Sequence, residues 1–582
     1  MHSPPTSTED DIPAHKEQQQ QQRESKADIV GGPNDTHIDM ERGVTPRPEE
    51  YEYGNEDDDD AKGSLALIYD THRPWFHLAM WLVFTGFLVA AYILQVPKGY
   101  NSENLILGLI YAWFTLYIVC QYISFSRVTR PLYHAGHSTM APFLRLSKRW
   151  RLSIYALFVT TVIVATVFSF PETKSTRKQR LISLLGLIVF VLLLTASSHR
   201  RRAINWFIVC SGLLFQFLLA LFVFRSSVGH DIFQWMSNFV QGFLGMARHG
   251  MAFLTTDPIA NLPYFAVVVF PAVIFFSAVV QMLYHLGALQ WVSTRFAVIF
   301  IKLFQVSGVE AIVAAASPFL GQGESSLLVR PYLRYATRAE LHQIMTSGFA
   351  TVAGSMLAGY MALGVSGEAL LTSCIMSIPC SLMVSKIRYP ETQESLTRHE
   401  IKIPPADPSD RSSNLLHALA NGGSIGISVV LCMASNIIAI LSLLYAINAG
   451  LTWLGHFVNI QELSLQMITG YVFVPMAWLM GVDNGDLVKV GQLMALKIWA
   501  NEYMAYQAMM TTYAGQLSER STLVATYALC GFANVPGMGM QIGVLGSLAP
   551  GRTGDISRLV VSAMICGFIS TCISAAMAGM LS

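Results

Sequence analysis

The feature that most constrains this chain is the recurrence of apolar stretches long enough to cross a bilayer. A membrane-spanning helix needs about 20 consecutive, mostly apolar residues. Eleven stretches approach or meet that length: 74–96, 105–125, 152–170, 181–197, 204–224, 265–286, 341–361, 368–384, 425–449, 521–547 and 558–581. Charged residues make up 13% of the 582 residues, whereas a soluble domain carries about 25%. The pattern excludes a soluble globular protein and predicts an all-α polytopic membrane protein.

The ends and loops of the chain indicate its orientation. In residues 1–62, acids outnumber bases 17 to 6, and such a polar segment cannot bury enough apolar surface to fold. Basic residues concentrate in the loops after the second and fourth predicted spans, and basic loops stay in the cytoplasm. A basic loop at 174–180 opposes this orientation. We predict a multi-pass protein with a disordered, acidic cytoplasmic tail and an extracellular C-terminus.

Two matching heptads in the second half of the chain indicate an internal repeat. Residues 348–354 read GFATVAG, and residues 531–537 read GFANVPG. Each heptad follows an apolar segment with a polar centre, GQGE within 309–334 and NE within 485–516. Non-helical backbone at membrane depth is tolerated only where protein or a cavity surrounds it. The polar centres therefore predict two re-entrant hairpins, each followed by a helix broken at glycine.

The order of these segments points to a class of function. If the hairpins do not cross the bilayer, three crossings separate the two units, and the second unit is inverted relative to the first. Inverted repeats with broken helices are typical of secondary transporters. Broken helices expose N–H and C=O groups that can bind polar solutes and cations. The residues alone therefore predict a carrier for a polar solute, driven by a cation.

The same features divide the chain into seven segments. They are the tail (1–62), three N-terminal spans (63–180), scaffold and interfacial helices (181–308), the first hairpin and broken helix (309–384), a polar linker (385–415), a scaffold helix with an interfacial segment (416–484), and the second hairpin and broken helix (485–582).

Two carboxylates are the best functional candidates, because an ionisable group within a membrane is costly. Glu324 and Glu502 lie at the centres of the two predicted hairpins. The alternative is that either side chain caps its hairpin turn. We expect Glu310 to be a helix-start acid, and Lys497 to pair with an acid or to extend to the membrane surface. No spacing of cysteines, histidines or acids indicates a metal site.

Four motifs resemble the concentrative nucleoside transporter family of eukaryotes. They are GQGESSLLVRPYL (321–333), GFATVAGSMLAGY (348–360), VGQLMALKIWANEYMAY (490–506) and ALCGFANVPGMGMQIG (528–543). The resemblance implies about 11 transmembrane helices with two hairpins, in a homotrimer of the plasma membrane. It implies import of purine and pyrimidine nucleosides with protons or sodium, by an elevator-like motion. No enzymatic reaction, cofactor or nucleic-acid partner is expected.

The resemblance also assigns substrate contacts. It places Gln322, Gly323 and Glu324 at the nucleobase, with Met356 beside it. Gly323 stands where relatives usually carry Thr or Ser, so one base contact is missing. Glu502 and Asn534 are assigned to the ribose hydroxyls, because a carboxylate can accept from two neighbouring hydroxyl groups. Gly537 replaces a serine of relatives at the same end of the site.

The cation-coupling positions implied by the resemblance are Ser317, Leu320, Thr351 and Val352. Ser317 replaces an asparagine of sodium-coupled relatives, and a hydroxyl is a shorter and weaker ligand than an amide oxygen. We therefore predict proton coupling, with Glu324 or Glu502 as the proton-binding group; sodium coupling is the alternative. Other readings are a carrier for nucleobases or another polar metabolite, a channel, or a membrane enzyme.

Overall fold

The computed structural model describes residues 64–95, scattered positions between 107 and 118, 148–169, 176–395 and 412–581, except 263, 319 and 462. The predicted tail and the middle of the predicted linker lie outside these residues. Every regular element within the described ranges is helical. This confirms the predicted all-α class.

The chain divides after Ser138 into two compact units. The first contains helix α1 (Ser64–Gln95), which kinks at His72, shortly before a proline. Proline removes a backbone donor and clashes with the preceding turn, so a kink is expected there. Within this unit, Trp81 Nε1 donates a hydrogen bond to Thr115 Oγ1 at 3.0 Å.

The second unit begins with five helices before the repeat. These are α2 (Lys148–Ser169), α3 (Arg177–Ala196), α4 (Trp206–Arg225), α5 (Ser227–Gly245) and α6 (Ala247–Leu254), with short turns at Arg201–Ala203 and Asp257–Ala260.

Two sets of helices follow in the same order. The first set is α7 (Phe265–His285), α8 (Ala288–Phe304), α9 (Gly308–Ala316), the single turns Glu324–Leu327 and Arg330–Leu333, α10 (Arg338–Ala350), α11 (Gly354–Ala362) and α12 (Gly367–Arg388). The second set is α13 (Leu415–His456), α14 (Leu465–Met480), α15 (Leu487–Trp499), α16 (Glu502–Met510), α17 (Glu519–Leu529), α18 (Val535–Leu548), a short turn at Pro550–Arg552, and α19 (Thr553–Leu581). Each set contains a polar tip, a broken helix and a long final helix.

Side-chain caps determine where several short helices begin. Ser307 and Glu310 form a capping box at the start of α9, and Thr337 and Glu340 form another at α10. Asn501 accepts a hydrogen bond from the backbone at the start of α16. Such a cap contributes about 1 kcal/mol. The caps therefore stabilise helices that start at tips and turns within the fold.

The last helices of the two sets form the centre of the second unit. In the most apolar window of α12, 94% of the residues are buried, and the value for the window that includes α19 is 78%. The corresponding value for α13 is 12%. Helix α19 packs against α10, α12 and α17. The broken helices thus pack against two buried helices, and α13 lies at the periphery of the second unit.

Seven described helices are long and apolar enough to cross a bilayer, and each overlaps a predicted span. The other four predicted spans differ. Those at 341–361 and 521–547 are each two short helices separated by a break. The apolar part of the span at 152–170 is only Leu152–Thr166, and the span at 105–125 lies mostly outside the described residues. The count of eleven therefore stays a prediction.

The two helix breaks contact each other. Gly531, between α17 and α18, has a φ of +153°, and a Cβ there would lie 2.8 Å from the Phe349 carbonyl oxygen. Only glycine is tolerated at such a position. The next residue, Phe532, donates its N–H to the carbonyl of Thr351 at 3.2 Å. Thr351 lies in the break between α10 and α11, so each break satisfies part of the other.

A buried ion pair joins the first hairpin to α12. Lys386 Nζ lies 2.5 Å from Glu310 Oε1 and 3.4 Å from Glu391 Oε2. The Lys386 and Glu310 side chains are 5% and 1% exposed. Glu310 also accepts the N–H of Ser307. It is the expected helix-start acid and, in addition, the partner of a buried lysine.

Lys386→Met should destabilise the protein strongly, because it leaves the Glu310 carboxylate buried without its cation. Breaking a buried pair in this way costs about 3–5 kcal/mol. The thermal unfolding temperature of detergent-solubilised protein measures the effect. The double variant Glu310→Gln, Lys386→Met should recover a large part of the loss. An unchanged unfolding temperature for Lys386→Met would show that the pair contributes nothing.

Candidate functional site

A cavity of about 530 Å³ lies between the two hairpin tips, the half helices α11 and α18, and helix α13. Small-molecule sites commonly measure roughly 300–1,000 Å³. Six of the seven predicted substrate positions line it: Gln322, Gly323, Met356, Glu502, Asn534 and Gly537. The side chain of the seventh, Glu324, lies outside the described part of the structure. The cavity thus combines residues from both repeats.

The second hairpin places a carboxylate in the cavity. Asn501 caps α16, which puts Glu502 in the first turn of that helix. Glu502 Oε1 accepts a hydrogen bond from the Tyr360 hydroxyl at 2.9 Å, and Oε2 accepts one from Asn534 Nδ2 at 3.0 Å. Asn534 Oδ1 in turn accepts the N–H of Gly537 at 2.6 Å. Residues of α11 and of the starts of α16 and α18 therefore orient one carboxylate.

This carboxylate keeps capacity for a ligand. Glu502 is only 3% exposed, and the start of a helix favours a negative charge. An ionised carboxylate offers about four acceptor positions, and the Tyr360 hydroxyl and the Asn534 amide occupy two of them. The remaining positions suit a ligand with two neighbouring hydroxyl donors.

The first hairpin tip presents an amide to the same cavity. Gln322 Nε2 lies 3.0 Å from the sulfur of Met540, and Gln541 Nε2 donates to the Gln322 carbonyl at 3.2 Å. The side-chain oxygen of Gln322 is buried and has no hydrogen-bond partner among the described residues. A buried acceptor without a partner is costly. A ligand donor at this position would satisfy it.

Both glycines among the predicted substrate positions are closely packed. A Cβ on Gly323 would lie 2.9 Å and 3.1 Å from the two methyl groups of Val544. A Cβ on Gly537 would lie 2.8 Å from the Phe532 carbonyl oxygen and 2.9 Å from Asn534 Oδ1. The space that a threonine at 323 would need is occupied by Val544. A side chain at either position would therefore require its neighbours to move.

The predicted cation-coupling positions on the first repeat are all buried: Ser317, Leu320, Thr351 and Val352. Ser317 Oγ donates to the Val313 carbonyl at 2.7 Å, within its own helix. Thr351 Oγ1 lies 3.0 Å from the Ser347 carbonyl and 3.3 Å from the Ser317 carbonyl. The structure thus brings Ser317 and Thr351 together. The described residues contain no group of three or more His, Cys, Asp or Glu that could hold a metal ion.

Helix α13 forms the opposite wall of the cavity. Its cavity-lining residues are Ser424, Ile425, Ser428, Val429, Met433, Ile437, Ile440 and Leu441. Ser424 Oγ donates to the Ala420 carbonyl, and Ser428 Oγ donates to the Ser424 carbonyl. Both hydroxyl donors are therefore used within the helix, and the wall presents mainly apolar surface to the cavity.

Sequence reasoning missed several site residues. Tyr360 ends one of the motifs, but its partner Glu502 is 142 positions away, and nothing in the local sequence indicates the contact. Met540, Val544 and the α13 wall were also not predicted, because apolar residues in a membrane protein carry no signal that separates lipid contact from ligand contact.

The expectation for Lys497 was wrong. Its side chain is fully buried and donates to the Ala528 carbonyl at 2.8 Å. It takes part in none of the ion pairs that the described residues form. The reason is that α15 packs between α14 and α17, so this lysine points into protein and not toward the membrane surface.

Gly323→Thr should destabilise the protein, and Val544→Ala should reverse the effect. Overpacking of this kind costs about 1–3 kcal/mol, and removal of the Val544 methyl groups provides the space. Thermal unfolding in detergent compares the single and double variants. Gly543→Thr is the matched control, since a Cβ there meets nothing within 4 Å. Equal unfolding temperatures for Gly323→Thr with and without Val544→Ala would contradict the packing.

Three family models match consecutive parts of the chain. "Na+ dependent nucleoside transporter N-terminus" matches residues 185–258, "Nucleoside recognition" matches 266–366, and "Na+ dependent nucleoside transporter C-terminus" matches 369–579. Together they cover the scaffold helices and both repeats.

Curated relatives and solved structures agree with these models. The mouse protein "Sodium/nucleoside cotransporter 1" is 34% identical over 514 residues, covering 86% of this chain and 77% of the relative. The rat protein "Solute carrier family 28 member 3" is 35% identical over 563 residues, covering 92% and 78%. The solved structure "CNTnw in an inward-facing substrate-bound state" is 31% identical, with a TM-score of 0.64, and covers 69% of this chain and 97% of CNTnw.

These comparisons confirm the resemblance seen in the motifs, and they place the chain among transporters and not among enzymes. With its multiple apolar helices, the protein is a multi-pass membrane protein. By its motifs, its fold and its relatives, it belongs to the concentrative nucleoside transporter family.

Proposed function

We propose that this protein carries nucleosides across a membrane together with a cation. The observation that carries the proposal is the Glu502 carboxylate, which lines the cavity and accepts hydrogen bonds from Tyr360 and Asn534. Its remaining acceptor positions suit the two neighbouring hydroxyls of a ribose. The name of the mouse relative and the names of the matching family models support the same substrate class.

The two hairpin tips take different parts of the substrate. Glu502 and Asn534 bind the ribose hydroxyls, while the amide of Gln322 pairs with the edge of the base. An amide both donates and accepts, so this contact serves purine and pyrimidine bases alike. Met356 supplies apolar surface beside the base, and Glu324 contributes at the same tip.

A second candidate substrate is a nucleobase or another polar metabolite. It is favoured by one observation, the absence of a hydroxyl at Gly323 and Gly537, which removes two polar groups from the site. Competition by free uracil distinguishes the two candidates. Uracil should compete poorly if the ribose contacts provide most of the affinity.

For the coupling ion we propose a proton, with sodium as the alternative. The short hydroxyl of Ser317 donates its hydrogen to the Val313 carbonyl. Ser317 is therefore a weaker cation ligand than an asparagine would be. Glu324 and Glu502 are the proton-binding candidates, because each is a carboxylate of a hairpin tip. The matching family models are named for sodium dependence, which makes the sodium test decisive.

In the proposed mechanism, the site moves past α13, so that the cavity opens first to one side of the membrane and then to the other. CNTnw has been solved in outward-facing, intermediate and inward-facing states, which supports an elevator-like motion in this relative. The apolar wall on α13 suits such movement, because no strong polar contact has to break there. We further propose a homotrimer in the plasma membrane, with the N-terminus in the cytoplasm, the C-terminus outside, and each protomer carrying its own site.

Glu502→Gln should lower uridine uptake by about tenfold or more, the usual size of losing hydrogen bonds to a charged group. Uptake of labelled uridine is measured in cells that lack their own nucleoside carriers, with surface amount as the reference. Glu394→Gln, on an exposed loop, is the matched control.

In the wild type, 2′- and 3′-deoxyuridine should compete less well than uridine, since a site built for a hydroxyl rejects analogues without it. Equal competition would contradict the ribose assignment.

Uridine uptake should rise at acidic pH and be unchanged when choline replaces sodium outside the cell. The reason is the weak cation site around Ser317, which leaves a hairpin carboxylate to bind the coupling proton. Ser317→Asn should then introduce a sodium dependence, because its amide oxygen reaches further. Uptake by the wild type that requires sodium would overturn proton coupling and leave nucleoside transport intact.

A further inference from the structure

One buried basic residue takes no part in the transport scheme above. Lys497 lies in α15, the first arm of the second hairpin, and its side chain is fully buried. Its ammonium donates to the Ala528 carbonyl at 2.8 Å and to Thr571 Oγ1 at 3.3 Å, and it lies 5.5 Å from the centre of the Phe568 ring. Burying a charge is costly unless its surroundings compensate, so this position requires an explanation.

The surroundings of Lys497 are built for a positive charge. Ala528 lies in the last turn of α17, where carbonyl groups have no partner within the helix. The end of a helix also carries a partial negative charge. The ring of Phe568 adds a favourable face for a cation. The ammonium therefore caps the C-terminal end of α17, a half helix that ends inside the protein.

This contact connects the two chain segments that form the ribose-facing pair. The chain runs from Lys497 to Glu502 in five residues, and from Ala528 to Asn534 in six. Glu502 and Asn534 then meet in the 3.0 Å hydrogen bond described above. The Lys497–Ala528 and Glu502–Asn534 hydrogen bonds thus join two segments. One segment is α15 with the hairpin tip, and the other is the end of α17 with the helix break. Moving the ammonium would shift one segment relative to the other.

The first repeat also contains a contact between its hairpin arm and its half helix, and that contact carries no charge. There Thr351 joins the Ser317 carbonyl, at the end of the first hairpin arm, to the Ser347 carbonyl near the end of α10. Both repeats thus present carbonyl oxygens where a hairpin arm meets a half helix. The contact in the first repeat is made by a hydroxyl group, whereas the contact in the second is made by the ammonium of Lys497.

We propose that Lys497 is a positioning residue, a fixed cation that holds the broken helix of the second repeat against its hairpin and so sets the geometry of the Glu502–Asn534 pair. This inference rests on the proposed nucleoside transport. It predicts that the charge of Lys497 matters for recognition of the ribose hydroxyls, even though its side chain does not line the cavity.

The test compares Lys497→Met, Lys497→Arg and Lys489→Met. Lys489 lies on the same helix but is 31% exposed, so it serves as the matched control. KM and Vmax are measured for labelled uridine and 2′-deoxyuridine and referred to surface amount. Lys497→Met should raise the KM for uridine about tenfold, as expected for losing a charge-assisted contact, and raise that for 2′-deoxyuridine much less. Lys497→Arg should keep most of the discrimination.

A double variant tests whether Lys497 acts through the pair. Once Asn534→Ala has removed the donor to Glu502, adding Lys497→Met should raise the KM less than twofold further, because coupled residues are not additive. An unchanged KM in Lys497→Met, or an equal loss for both nucleosides, would overturn the proposal. If Lys497→Met does not reach the surface, uridine binding by purified Lys497→Arg decides, and a large loss of affinity would overturn it. Absence of uptake by the wild type would instead overturn the proposed function.

Discussion

Two helices that stop inside the transporter core impose the constraint on which the rest of the fold depends. Lipid cannot satisfy backbone N–H and C=O groups, so a break within a membrane must be enclosed by protein or line a cavity. Here the breaks satisfy part of each other through the Phe532 N–H and the Thr351 carbonyl. They are surrounded by α12 and α19, the most buried long helices of the described chain. The same arrangement that satisfies the backbone places Asn534 and Glu502 at the cavity.

Polar contacts in the candidate site come in pairs from the two repeats. Tyr360 of the first repeat donates to Glu502 of the second, and Gln541 of the second donates to the backbone of Gln322 in the first. Each hairpin tip is thus oriented in part by the other repeat. Recognition therefore depends on how the inverted halves pack, and a shift between the halves would alter both ends of a bound solute together.

Local chemistry made much of this predictable. The polar centres GQGE and NE and the matching heptads are local signals, and they predicted the two hairpins and singled out Glu502. The other five predicted residues that line the cavity came from the family motifs, and caps such as Asn501 are short-range signals as well. Contacts between distant segments were not predictable, as with Tyr360 and Glu502. The error over Lys497 has the same origin, because only the packing of α15 against α17 shows that its charge is enclosed. The family motifs supplied roles that spacing alone leaves open.

The apolar wall on α13 has a consequence for how such a protein can diversify. The hydroxyl groups of Ser424 and Ser428 donate hydrogen bonds within their own helix. The wall therefore contributes shape and apolar surface, while the hydrogen-bonding groups of the site lie in the hairpins and half helices. In the proposed transport, recognition and movement would thereby depend on different helices of the chain. We expect substitutions on α13 to change the speed of passage and the fit of bulky groups, with little effect on which hydrogen bonds a solute must offer. Changes at the tips alter the identity of the cargo.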